Sequence, residues 1–193
     1  MRVAIVKYNA GNIQSVAFAL NRLGIEPVIS DDPEVLKSVD KVIFPGVGEA
    51  STAMAYLREA NLDVLIPTLK QPVLGICLGM QLMCSHSEEN NTPCLDIFPV
   101  EVKKFPPLLK VPQIGWNTLS DLKSPLFKGL AEDSFVYFVH SYYAEMNPFT
   151  IATAEYILPY AAAMHKDNFY AVQFHPEKSS DVGAQIIENF IRL

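Results

Sequence analysis

Two short segments of this 193-residue chain carry residue types that can do covalent chemistry. The first is Gly75-Ile76-Cys77-Leu78-Gly79, a cysteine framed by glycines after an apolar run. It has the G-x-C-x-G form of a nucleophile elbow, a tight turn between a strand and a helix. Flanking glycines let neighbouring segments approach where a Cβ would clash. The turn sets the sulfur at a helix N-terminus, where the positive end of the dipole stabilises the attacking thiolate. The amide of Leu78 is then free to donate to an oxyanion. Taken alone, Cys77 is equally readable as a buried structural cysteine, since that residue type is among the most buried. Cys84 and Cys94 have no such frame and are expected to be structural.

The second segment is Ala171-Val172-Gln173-Phe174-His175-Pro176-Glu177. An apolar-rich strand delivers His175 at its end, and a proline fixes the turn before Glu177. A histidine can accept a thiol proton and return it to leaving ammonia. It needs an anion to fix its tautomer and stabilise the imidazolium, and Glu177 is spaced to be that anion. A surface histidine with an incidental acid is the plain alternative. A third segment, Phe44-Pro45-Gly46-Val47-Gly48-Glu49, follows a strand and precedes a helical pattern. The G-x-G-x-x-G spacing of a dinucleotide site is absent, because residue 51 is serine. Without Cys77 this would be an ordinary turn; with it, the segment reads as the other half of an oxyanion hole.

These residues need a scaffold, and the first half of the chain supplies a βαβα rhythm. Val3–Val6, residues 27–30, residues 42–44 and Val73–Ile76 read as strands. Residues 12–23 read as a helix with Ile13, Val16, Ala17, Leu20 and Leu23 on one face and Gly24 just past its end. Asp32-Pro33 opens a short helix, and another begins at Leu78. The pattern predicts an α/β fold, a mostly parallel sheet with helices on both faces. The proline-punctuated second half predicts strands at 98–104, 135–139, 150–155, 160–165 and 169–174, and a helix from 181 to 192. These fit antiparallel hairpins added to the parallel core. The whole chain, 1–193, is expected to be one domain.

Half of the residues are apolar and 19% are charged, with a net charge of −6. The acidic balance argues against a nucleic-acid partner. No stretch approaches a membrane span and no leader is expected at the start. Three cysteines without metal-type spacing argue against a disulfide framework and fit a reducing cytoplasm.

Together, G-x-C-x-G-x-Q, completed by Gln81, and F-H-P-E resemble the class I glutamine amidotransferases. The resemblance implies a flavodoxin-like fold and a Cys-His-Glu triad of Cys77, His175 and Glu177. It implies glutamine hydrolysis through a thioester, with no metal or cofactor. It places the oxyanion hole at Gly46, Val47 and Leu78, with Gly48 beside the substrate. It places the glutamine pocket at Gln81, Glu89, Ser141 and Tyr142. His140, within Tyr137-Phe138-Val139-His140-Ser141-Tyr142-Tyr143, is expected to be a structural hydrogen-bonder.

Further motifs narrow the resemblance. They are Tyr8-Asn9-Ala10-Gly11-Asn12-Ile13-Gln14-Ser15, Gln113-Ile114-Gly115-Trp116-Asn117 and His175-Pro176-Glu177-Lys178-Ser179. With the Pro45–Gly48 loop, they look like the glutaminase subunits of imidazole glycerol phosphate synthases, over nearly the whole chain. This implies a heterodimer with a (β/α)8-barrel cyclase, a separate chain that uses ammonia to make imidazole glycerol phosphate and AICAR in histidine biosynthesis. Asn12, Trp116, Tyr137 and Lys178 lie in the segments implied to face that partner, although Trp116 is also readable as a core aromatic. Lys7 and Asn9 stand where relatives commonly have aspartate and glycine. Lys7 leaves open a paralogue feeding another synthase, such as one that amidinates a surface sugar. A non-catalytic binding or redox-sensing module predicts an incomplete triad or no oxyanion loop, and both are present.

Overall fold

Cys77 and His175 leave the ends of two neighbouring parallel strands, and the topology explains why. A computed structural model describes residues 1–9 and 11–193; Ala10 of the N-terminal motif lies outside them. The first half runs β1 (Val3–Val6), α1 (Ile13–Arg22), β2 (Val28–Ser30), α2 (Pro33–Ser38), β3 (Lys41–Phe44), α3 (Ala50–Glu59), α4 (Leu62–Leu65), β4 (Val73–Ile76) and α5 (Leu78–Leu82). The second half adds β5 (Cys84–Ser87), β6 (Thr92–Pro93), β7 (Phe98–Lys104), β8 (Gln113–Leu119), β9 (Ser134–His140) and β10 (Tyr142–Ala144). It ends with β11 (Thr150–Tyr156), β12 (Leu158–Lys166), β13 (Phe169–Val172) and α6 (Ser180–Arg192).

The main sheet has seven strands in the order β11-β12-β13-β4-β3-β1-β2. Neighbours from β2 through β13 pair in parallel, and β11 and β12 extend that edge antiparallel. Strands β1, β3, β4 and β13 are buried along their whole length. That is the expected state for parallel strands covered on both faces, and it is why they read as apolar runs rather than alternating ones. One core cluster lies on the side of α1 and α6, the other on the side of α2, α3 and α5. A four-stranded sheet, β10-β7-β5-β6, and a two-stranded ribbon, β8-β9, complete the architecture.

The local signals act where they are written. Asp32 accepts from the Glu34 amide at 2.8 Å, so the Asp-Pro pair does cap α2. Gly24 has φ +76°, with Gly24 N bonded to Asn21 O and Ile25 N to Leu20 O. That pair of bonds is a Schellman closure of α1. The strand expected at 169–174 ends earlier, at Val172, and the chain bends through Gln173 and Phe174. No helix among the described residues is long and apolar enough to cross a membrane.

Candidate active site

At the carboxyl end of β4, Cys77 adopts φ +54° and ψ −109°. A non-glycine residue there costs about 1–3 kcal/mol and persists only when its surroundings dictate it. Here Cys77 N donates to Val172 O of β13 at 2.8 Å, and Cys77 O accepts from Gln81 N at 3.2 Å. The glycine frame is a matter of space. A Cβ on Gly79 would sit 2.0 Å from the carbonyl oxygen of Phe44, so only glycine lets α5 pack against the end of β3. Cys77 thus occupies a strained strand-to-helix turn at the edge of a core cluster.

Because β13 lies beside β4 in parallel register, with Val172 opposite Ile76, the residues after both strands emerge together. His175 and Glu177 are buried, and His175 Nδ1 lies 2.7 Å from Glu177 Oε1. Burial alone would depress the imidazole. The Cys77 sulfur and the Glu177 carboxylate outweigh it and hold the imidazole above its ordinary value. The arrangement therefore favours the imidazolium form of His175. By contrast, burial raises the Cys84 thiol far above its usual range and pushes Cys94 up to about 12. Burial thus disfavours the thiolate of both.

A cavity of about 290 Å³ opens over this pair. Val47, Gly48, Cys77, Leu78, Gln81, Glu89, Ser141, Tyr142 and His175 all line it, and so does Lys178 at its lip. Glu89 is held in place by Ala50 N at the start of α3, 2.8 Å from its Oε2. Burial raises its carboxyl, opposed by that amide and reinforced by Glu49. Burial and then the carboxylates of Glu89, Glu88 and Glu49 raise the Tyr142 phenol. One wall of the cavity is thus acidic and suits an ammonium group. His140 is buried, with Nδ1 2.8 Å from Tyr142 O and Nε2 3.0 Å from Gln113 Oε1. Burial lowers it to about 4, so it stays neutral and holds the wall of the pocket.

The glycine-rich loop is close, but turned. Leu78 N donates to Gly46 O at 3.3 Å. In a trans peptide the carbonyl and the following N–H point opposite ways, so the Val47 N–H points away from the Leu78 amide. Gly46 and Leu78 are brought together, with the Gly46 carbonyl occupying the Leu78 amide.

A family model described as "Glutamine amidotransferase class-I" matches residues 5–193. The chain belongs to the class I glutamine amidotransferases. Proteins named imidazole glycerol phosphate synthase subunit HisH are similar end to end. The one from Bacteroides fragilis is 62% identical and the one from Bacteroides thetaiotaomicron 59%, each aligned over 100% of both chains. A putative GMP synthase protein from Thermoplasma acidophilum superimposes with a TM-score of 0.78 at 22% identity, covering 100% of this chain and 93% of that one. At that identity the likeness speaks for the fold alone.

Several residues of the motifs above make contacts that the motifs alone do not assign. Tyr8 donates to Pro45 O at 2.5 Å and so ties β1 to the glycine-rich loop. Ser179 donates to His175 O at 2.6 Å and accepts from Tyr137 N at 2.9 Å, which locks the histidine turn to β9. Asn12, expected at a partner-facing surface, has its side-chain amide on Glu177 Oε1 and 3.5 Å from His175 Nδ1. Trp116 is 53% exposed, which removes its reading as a core aromatic. It meets Tyr137 edge-on across the ribbon, with ring centroids 5.9 Å apart. Ile114 and Phe135 are exposed beside them.

Proposed function

We propose that this chain is the glutaminase subunit of an imidazole glycerol phosphate synthase, a single-domain cytoplasmic protein that works as a heterodimer with a (β/α)8 cyclase. The observation that carries the chemistry is the convergence of Cys77 and His175 on the wall of one cavity whose far side is acidic. The full-length likeness to the Bacteroides proteins supports the pathway.

In this reading the glutamine ammonium lies towards Glu89, near Ser141 and Tyr142, and its side-chain amide lies over Cys77. Cys77 gives its proton to His175, and the thiolate adds to the amide carbon. His175 returns the proton to nitrogen as the C–N bond breaks and ammonia leaves. Water then adds to the thioester, passing a proton to His175. That proton returns to sulfur as the C–S bond breaks and glutamate departs. Glu177 holds the imidazole in one tautomer throughout. Gly46, Val47 and Leu78 supply oxyanion donors once the loop is turned.

The exposed apolar face of the β8-β9 ribbon, with Trp116 and Tyr137, is the docking surface for the cyclase. Asn12, whose amide meets Glu177, and Lys178, which lines the cavity, complete the partner-facing set in this reading. The test is reconstitution with the cyclase barrel from the same genome. Glutamine-dependent formation of imidazole glycerol phosphate is the expected result. Intact glutamate release without that product, with any cyclase of that genome, moves the chain to a paralogous synthase.

A further inference from the structure

Gln173 is fully buried, at 0% exposure, immediately after a strand that is otherwise apolar. An amide in such surroundings is an unfavourable choice for packing unless its hydrogen bonds are made. Its bonds are made, and they lead to the sulfur. Gln173 Nε2 lies 3.6 Å from Cys77 Sγ, and Gln173 Oε1 lies 2.9 Å from Gln81 Nε2. Gln81 Nε2 also lies 3.0 Å from the carbonyl oxygen of Tyr142.

The orientation of both amides follows from the last contact. A backbone carbonyl only accepts, so the Gln81 atom facing Tyr142 O is nitrogen. That nitrogen then faces an oxygen on Gln173, which turns the Gln173 N–H towards the sulfur. Three residues far apart in sequence thus fix one donor on Cys77.

The sulfur has a second polar neighbour, Val139 O at 3.8 Å. A carbonyl there favours the thiol, which can donate to it, whereas the amide N–H favours the thiolate. The two contacts oppose each other. The ionisable groups that face the sulfur are His175 and the buried Tyr8 phenol.

We infer that Gln173 is a positioning residue for the nucleophile, holding an N–H on Cys77 Sγ that favours thiolate over thiol. Gln81 orients it from the wall of the glutamine cavity. Gln81 lines that cavity, and its Nε2 is committed to Tyr142 and Gln173. A ligand bonded to its Oε1 would therefore tighten the same chain that ends on the sulfur. This inference rests on the proposed role of Cys77.

The experiment measures carbamidomethylation of Cys77 by iodoacetamide against pH on the full chain, read by peptide mass spectrometry so that Cys84 and Cys94 are separated. Glutamine is absent, so substrate binding does not enter. Gln173→Met keeps the length and removes the donor. Its alkylation midpoint is expected to rise by about one pH unit, a tenfold change in thiolate at fixed pH. The kcat for glutamine should fall about tenfold, with KM little changed. Gln81→Met should move the midpoint in the same direction although residue 81 makes no hydrogen bond to the sulfur, and should raise KM as well. An alkylation profile for folded Gln173→Met that superimposes on the parent's overturns the inference. If Gln173→Met does not fold, an unchanged profile for Gln81→Met does so instead. In either case activity that still depends on Cys77 leaves the proposed function standing, whereas full activity of Cys77→Ser removes both.

Discussion

Replacing Cys77 with serine is expected to abolish glutamine hydrolysis, by on the order of 10⁴-fold or more, while the partner still turns over when given free ammonium at high pH. A hydroxyl in the same strained turn has no accessible anion at neutral pH, so neither His175 nor the helix terminus can activate it. A glutamine-like chloroketone should leave one adduct, on Cys77. The competing thiols are held protonated by burial, Cys84 far above its usual range and Cys94 at about 12. Labelling of either instead would remove Cys77 from the mechanism. In the same assay His175→Asn should lose nearly all activity and Glu177→Gln less. Glu177 helps raise the imidazole, so its loss should lower the pH at which His175 ceases to be protonated. The alkaline limb of the Glu177→Gln profile therefore moves down. Full activity in both histidine-turn variants would discard the pair.

Glutamate release should be slow from the isolated chain and rise by about 100- to 1,000-fold or more in the cyclase complex loaded with its acceptor or an analogue, since a single oxyanion donor is worth about that much. The loop explains why. Gly46 O occupies Leu78 N, so the Val47 N–H of the same trans peptide points away from that amide. Rotating the 46–47 peptide frees one donor and supplies another without moving the triad. Glycine at 46 accommodates that rotation, and it is also required for space, since a Cβ there would lie 2.4 Å from the Tyr8 hydroxyl. Tyr8 holds Pro45 O, so the loop has a fixed end about which to turn. The three measurements are the isolated chain, the complex, and the complex with acceptor. An isolated chain already as fast as the loaded complex would mean that no such switch operates.

Strands β1, β3, β4 and β13 of the parallel core were legible because they are buried on both faces and so appear as short apolar runs. Helices α1 and α6 were legible for a different reason, the recurrence of apolar residues at helical spacing on one buried face. Strand β8 was not legible, for a physical reason. Its apolar Ile114 and Trp116 face outward, while its polar Gln113 is buried against His140 and Tyr160. The usual inside-outside pattern is inverted there, and the pairing is only with β9. Strand β5, Cys84–Ser87, follows α5 after a single residue and reads as more helix. At the site, Cys77, His175 and Glu177 stood out because their neighbours are glycines and prolines with strict spacing. Gln173 did not, since a buried amide has no periodicity and its partner is 92 positions away. The side-chain contact of Asn12 with Glu177, 165 positions on, was invisible for the same reason.

Strand β9 has a double life. Its outward face carries Phe135 and Tyr137 beside Trp116, while its backbone touches both reacting residues, with Tyr137 O accepting from His175 N at 2.9 Å and Val139 O beside the Cys77 sulfur. A partner seated on the ribbon would thus be one strand's thickness from the chemistry. Energetic traffic across so thin a wall must run both ways. If docking on Trp116 makes glutamine bind more tightly by some factor, glutamine must make docking tighter by that same factor. A glutamine analogue that occupies the cavity should therefore lower the dissociation constant of the heterodimer, and calorimetry with and without the analogue would return the same ratio from either direction.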